Sequence, residues 1–137
     1  MKLGDPKKKP IKKSKLIKEC DDLVSKIVRL REGRCITCGT NKNLTCSHLI
    51  KRGRASVRFD LDNCNCQCAS CNFKHNHYPE FYTDWFVSTK GVELYHDLFE
   101  RSWQTKNWKI PELIEKKLEL EAMLQKMTEL DKLSELF

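Results

Sequence analysis

Two short cysteine pairs bracket the part of the chain richest in reactive side chains. Cys35-x-x-Cys38 and Cys68-x-x-Cys71 are separated by 29 residues. Each pair has the spacing at which a turn lets two thiolates grip one tetrahedral ion. Four thiolates make a soft, closed, redox-silent site, which favours zinc and leaves no coordination position for a substrate. The ion is therefore expected to be structural, with its binding free energy stabilising a segment poor in core residues. An iron–sulfur cluster would satisfy the same four ligands. Cys64 and Cys66 alternate with Cys68, so an extended chain puts all three on one face. Cys-x-Cys is a poorer chelate turn, and these two are expected to be free thiols. Cys20 and Cys46 read as small buried hydrophobes.

The stretch between the pairs carries His48, then Lys51, Arg52, Arg54 and Arg58, then Asn63. Asn72, His75, Asn76 and His77 follow the second pair. Hydrolysis of a phosphodiester needs a base for water, a cation for the leaving oxygen and positive side chains for the backbone. All three kinds of part are present. If a helix follows the second pair, His75 and Asn76 share the face of Asn72. His77 lies about 140° round the same helix.

Several segments together resemble the HNH (ββα-metal) endonucleases and, more narrowly, the phage lambda NinG (Rap) recombination proteins. They are Cys-x-x-Cys-Gly at 35–39, Ser-His-Leu with a following Arg-Gly at 47–53, Val-Arg-Phe-Asp-Leu-Asp-Asn at 57–63, and Gln-Cys-x-x-Cys-Asn at 67–72. The resemblance covers about residues 33–76. It implies an α+β fold, with a small zinc-stabilised ββα-metal core flanked by an N-terminal helix and C-terminal helices. It assigns the general base to His48. Asn63 would hold the loop and orient that base, and Asn72 would bind a catalytic divalent ion. An amide oxygen suits hard magnesium or manganese. Many such enzymes carry a second metal ligand just before the base, where this chain has Ser47. His75 is the expected replacement, with Asn76 and His77 as alternatives. Lys51, Arg52, Arg54 and Arg58 are the expected DNA contacts. The implied activity is DNA endonuclease in phage recombination, on branched substrates of the Holliday-junction or D-loop type. A zinc-ribbon DNA-binding or adaptor module without activity explains the cysteines and charge equally well, but not the joint placement of His48, Asn63 and Asn72.

The elements that must position these residues are legible in part. Ser14 is expected to cap a helix running to about Glu32, with apolar residues from Leu16 to Leu30 at spacings of three and four. Gly33 is expected to end it. Leu44–His48 and Val57–Phe59 read as the two strands of a hairpin, and Ala69–Asn76 as a short helix. Pro79 opens a further helix ending near Gly91. Val92, Tyr95, Leu98 and Phe99 mark the next, and their density of aromatics reads as core. Pro111 starts a last helix to about residue 133, with Leu113, Leu120 and Met127 seven apart. The expected organisation is a mobile basic arm over 1–13, a zinc-containing nuclease domain over 14–109, and a C-terminal helix over 110–137 that packs on the domain or forms a homodimer.

Charge supports a polyanionic partner. Residues 1–18 hold eight lysines and one aspartate, a net +7, and residues 26–74 carry another +7. Residues 75–137 sum to −4. A positive field on the arm and the Cys-rich segment is the footprint of a nucleic-acid binder. No apolar run approaches the roughly 18 residues of a membrane helix, and the first residues lack the apolar segment of a secretory signal. A cytoplasmic, reducing location is the expectation, which argues against a disulfide framework.

Overall fold

The computed structural model describes residues 9–136, so most of the expected basic arm lies outside the described residues. Among the described residues the fold is α+β: five helices surround a two-stranded antiparallel sheet. Helix α1 spans Lys13–Glu32 and buries Leu16, Cys20, Val24, Ile27 and Val28 along one stripe. It begins one residue before Ser14, with Lys12 at the N-cap and no side-chain cap bond. Ser14 therefore sits inside the first turn and is not the cap. Gly33 ends the helix as expected, at φ 69°, a left-handed conformation that costs glycine nothing.

Strand β1, Leu44–His48, matches the sequence reading. Its partner does not. Strand β2 is Cys64–Cys68, with Leu44 opposite Cys68 and His48 opposite Cys64. The expected strand at 57–59 is instead the end of a short 3-10 turn over Ala55–Val57 and the residues after it. Val57 packs in one apolar cluster and Phe59 in another. A strand would put residues i and i+2 on the same face, so the two cannot be satisfied by extended chain.

The hairpin separates those two clusters. One joins the α1 stripe to Phe59, Cys64, Cys66, Leu113 and Leu120. The other joins Leu49 and Val57 to Tyr82, Phe86 and Leu98. Helix α2, Ala69–His77, follows β2 directly, and its N-terminus is capped by Cys68, whose Sγ accepts from the Cys71 N–H at 3.4 Å. Helix α3 (Glu80–Lys90) buries Tyr82 and Phe86, but α4 (Val92–Ser102) buries Leu98 and no aromatic: Phe81, Val92 and Phe99, expected in the core, are exposed, as is Trp103.

Helix α5, Ile110–Ser134, has Pro at its start as expected. One face lies in the α1 cluster through buried Leu113 and Leu120, with Leu124 and Met127 packed against it, while Leu118, Leu130 and Leu133 face outward. Among the described residues no helix is long and apolar enough to cross a membrane.

Candidate functional site

The first cysteine pair lies in a knuckle just after α1. The Gly39 N–H donates to the Cys35 carbonyl at 2.9 Å, and Gly39 takes φ 79° to close the turn. The Ile36 N–H donates to the Cys66 carbonyl at 2.9 Å, which ties the knuckle to β2. The second pair straddles the β2–α2 junction. The Sγ atoms of Cys35, Cys38, Cys68 and Cys71 all lie within 4.8 Å of one another, with Cys38 and Cys68 3.7 Å apart. Four converging thiols of this kind can hold a metal ion, and the donor set is the one zinc takes in closed structural sites.

A cleft of about 620 Å³ opens between α1 and α2 beside β1. His48 lines it from the strand, Lys51 and Arg52 from the following loop, and Asn72, His75 and Asn76 from α2. The structure thus brings the residues singled out at positions 48, 51, 52, 72 and 75 to one cavity. Arg54 lies outside it, stacked over Trp103 at 4.1 Å from the ring centroid.

His48 is held by one ring nitrogen. Its Nε2 lies 3.0 Å from the Arg58 carbonyl oxygen. A carbonyl only accepts, so Nε2 carries the proton and Nδ1 keeps the lone pair. Burial lowers the pKa of this imidazole, against the opposing pull of the Arg58 carbonyl and of the Asp21 charge. His48 is therefore neutral near pH 7, with a free basic nitrogen.

Asn63 is fully buried and clamps the loop that follows the base. Its Oδ1 accepts from the Ile50 N–H at 2.9 Å, and its Nδ2 donates to the Ile50 and Val57 carbonyls at 2.9 and 3.2 Å. The Leu49 N–H donates to the Asn63 carbonyl at 2.9 Å. One asparagine thus fixes both ends of the Lys51–Arg54 segment. No hydrophobic residue of this size offers a donor and an acceptor together.

Asn72 is oriented by β1. The Thr45 hydroxyl donates to the Gln67 carbonyl at 2.8 Å, so it accepts from Asn72 Nδ2 at 3.0 Å. That leaves Oδ1 toward Ser47, whose hydroxyl donates to it at 3.1 Å. The amide oxygen retains a second lone pair for a ligand.

His75 shares the cleft wall, but its ring is turned inward. Nε2 donates to the His48 carbonyl at 3.0 Å, the ring packs on Tyr82 at 4.8 Å, and Nδ1 is buried without a partner. Burial lowers its pKa as well. With Nδ1 buried and Nε2 held by a carbonyl, His75 would have to turn its ring to bind an ion. Asn76, one turn on from Asn72 and exposed, occupies that side of the helix instead.

Arg58 is likewise already engaged. Its guanidinium pairs with Asp21 of α1 through two bonds, Nε at 3.0 Å and Nη2 at 2.6 Å. This planar fork suits a carboxylate and removes Arg58 from the set of free cations. It also fixes the peptide whose carbonyl holds His48. Arg52 lies 3.8 Å from the same carboxylate but remains exposed, as does Lys51. Asp21 was not singled out from sequence, because its partner is 37 residues away and no local pattern joins them. Cys46, expected to be a buried hydrophobe, is only half buried and lines the cleft.

The family model of the bacteriophage lambda NinG protein matches residues 4–132. The chain belongs to the NinG family. The NinG match takes in both cysteine pairs, His48, Asn63 and Asn72, and extends through α1 to most of α5. Comparison with curated proteins found no match, and neither did comparison with solved structures.

Proposed function

We propose that this NinG-family chain is a metal-dependent DNA endonuclease of the ββα-metal (HNH) type, acting on branched DNA in phage recombination. The recombination role follows from the family. The observation that carries the nuclease reading is the state of His48: a neutral imidazole, anchored through Nε2, with Nδ1 unprotonated in a cleft that also holds Asn72, Lys51 and Arg52. The order β1, β2, α2 agrees with a ββα-metal core, and the four-cysteine centre would hold structural zinc at its base.

His48 Nδ1 would take the proton from the attacking water. The Arg58 carbonyl stabilises the imidazolium that forms, because Nε2 keeps its hydrogen bond throughout. Asn63 keeps the loop at fixed distance from the base, and Lys51 and Arg52 hold backbone phosphates. Asn72 Oδ1, with Asn76 beside it, fits a hard divalent ion that retains most of its waters, as magnesium does. Such an ion, when bound, supplies positive charge for the departing oxygen. Arg58 acts through its pairing with Asp21 and its carbonyl, and Arg54, stacked over Trp103, lies outside the cleft.

A His48→Ala chain that keeps DNA affinity and loses cutting would support this reading. Wild type that binds DNA but never cuts, with magnesium or manganese, would favour a non-catalytic zinc-ribbon module instead.

A further inference from the structure

We infer that Cys46, His48 and Cys64 form a second, thiophilic metal site, and that an ion bound there switches the catalytic base off. The switching half rests on the nuclease reading above; the site itself does not.

The hairpin register builds the trio. His48 is directly opposite Cys64, and Cys46 is opposite Cys66, so Cys46 and Cys64 are diagonal neighbours. Alternation along each strand places Cys46, His48 and Cys64 on the same face of the sheet, the one turned toward α1. Their two Sγ atoms and a ring nitrogen of His48 all lie within 4.8 Å of one another. Ligands of a tetrahedral zinc ion with Zn–S near 2.3 Å sit roughly 3.8 Å apart. Only small side-chain movements separate the trio from that geometry.

The site is distinct from the four-cysteine centre. Cys64 and Cys68 are four residues apart on β2, about 13 Å at the rise of an extended strand. It also has an entrance. Cys46 and His48 both line the cleft, whereas Cys64 is fully buried and forms the floor. Three protein ligands leave a fourth position for water, as in open zinc sites. Two thiolates and an imidazole select a soft or borderline ion over the hard magnesium or manganese proposed for Asn72.

Imidazole chemistry makes occupation incompatible with base function. If the ion takes Nδ1, the lone pair that accepts the water proton is gone. If it takes Nε2, the ring proton moves to Nδ1 and the same lone pair is lost. Either way His48 no longer accepts a proton. Loss of a positioned general base costs about a hundredfold or more in rate.

The full-length chain should therefore bind two zinc ions, measured as metal per chain by elemental analysis. Cys46→Ala and Cys64→Val should each bind one, retained by the four-cysteine centre. Cadmium titration read by 15N shifts of the His48 ring gives a signal independent of activity: the ring should shift in wild type and not in Cys46→Ala. Cleavage by wild type should fall about a hundredfold as the second zinc equivalent fills, while Cys46→Ala cuts undiminished. One zinc per chain in wild type, an unmoved His48 ring, or a Cys46–Cys64 disulfide that persists in protein purified under reductant would each overturn the site. Unchanged or faster cleavage at full occupancy would overturn the switch. A chain that binds the second ion at His48 but cuts nothing at either occupancy would sink the nuclease reading and leave the site standing.

Discussion

The Nε2 of His48 lies 3.0 Å from the carbonyl oxygen of Arg58, and the side chain of the same Arg58 grips Asp21. The residue that fixes the tautomer of the proposed base is thus itself locked to α1 by a two-bonded ion pair. This relationship decides which nitrogen is basic and places Arg58 among the positioning residues.

The tautomer has a pH signature. Burial holds the pKa of His48 below the usual 6.5 for histidine. The base works when deprotonated, so kcat/KM should climb as pH rises through that depressed value and level off above it. An acid limb centred above 6.5 would contradict the assignment of the limb to His48.

Asn63 should be costly to replace. Asn63→Ala strips the partners from the Ile50 N–H and from the Ile50 and Val57 carbonyls in a closed interior. The expected loss is about 3 kcal/mol of unfolding free energy in urea titration. Cutting should fall further than stability alone explains, because the Lys51–Arg54 loop is released. A loss below about 1 kcal/mol would show that the clamp is dispensable.

The basic residues should separate by salt dependence. Each lost phosphate contact lowers the slope of log affinity against log salt by about 0.9. Lys51→Ala with Arg52→Ala should lower it by about 1.8. Arg58→Ala should leave that slope nearly unchanged, since its guanidinium is committed to Asp21, yet should reduce cutting. An Arg58→Ala slope that falls as far as that of Lys51→Ala would mean that Arg58 leaves Asp21 for the DNA.

Removing zinc should dissolve the site and spare the helices. The four cysteine ligands lie at the Cys35–Cys38 knuckle and the head of α2, whereas the α1–α5 cluster excludes all four. Binding at such sites is worth about 10 kcal/mol or more in isolated peptides. Chelation or Cys35→Ser should lower the unfolding midpoint and abolish cutting while far-ultraviolet circular dichroism keeps most of its helical signal. Full helicity with full activity in zinc-free protein would refute the structural role.

Much of this arrangement could be read from local pattern. Helix α1, strand β1, helix α2 and the four converging cysteines follow from periodicity and chelate spacing. The second strand is not legible locally, because Val57 and Phe59 look like alternation, whereas the strand is Cys64-Asn-Cys66-Gln-Cys68. A strand with polar side chains on one face looks exposed in sequence, yet all five residues are buried. Tyr82 supplies the reason, since its hydroxyl donates to Asn65 Oδ1 at 2.9 Å from a helix 17 residues on. Asp21 with Arg58, and His75 with the His48 carbonyl, are equally nonlocal, so neither the commitment of Arg58 nor the inward turn of His75 could be read from spacing. The neighbours Cys46, His48 and Cys64 become one cluster only once the register is known.

The most direct test of the nuclease assignment is cleavage of a labelled four-way junction and a linear duplex of matched sequence, with magnesium or manganese, comparing wild type with His48→Ala at equal DNA occupancy. Wild type should cut the junction in preference to the duplex, and His48→Ala should cut at least about a hundredfold more slowly. Equal cutting by the two proteins, or none by wild type with zinc and DNA binding intact, would contradict His48 as the base of a DNA endonuclease.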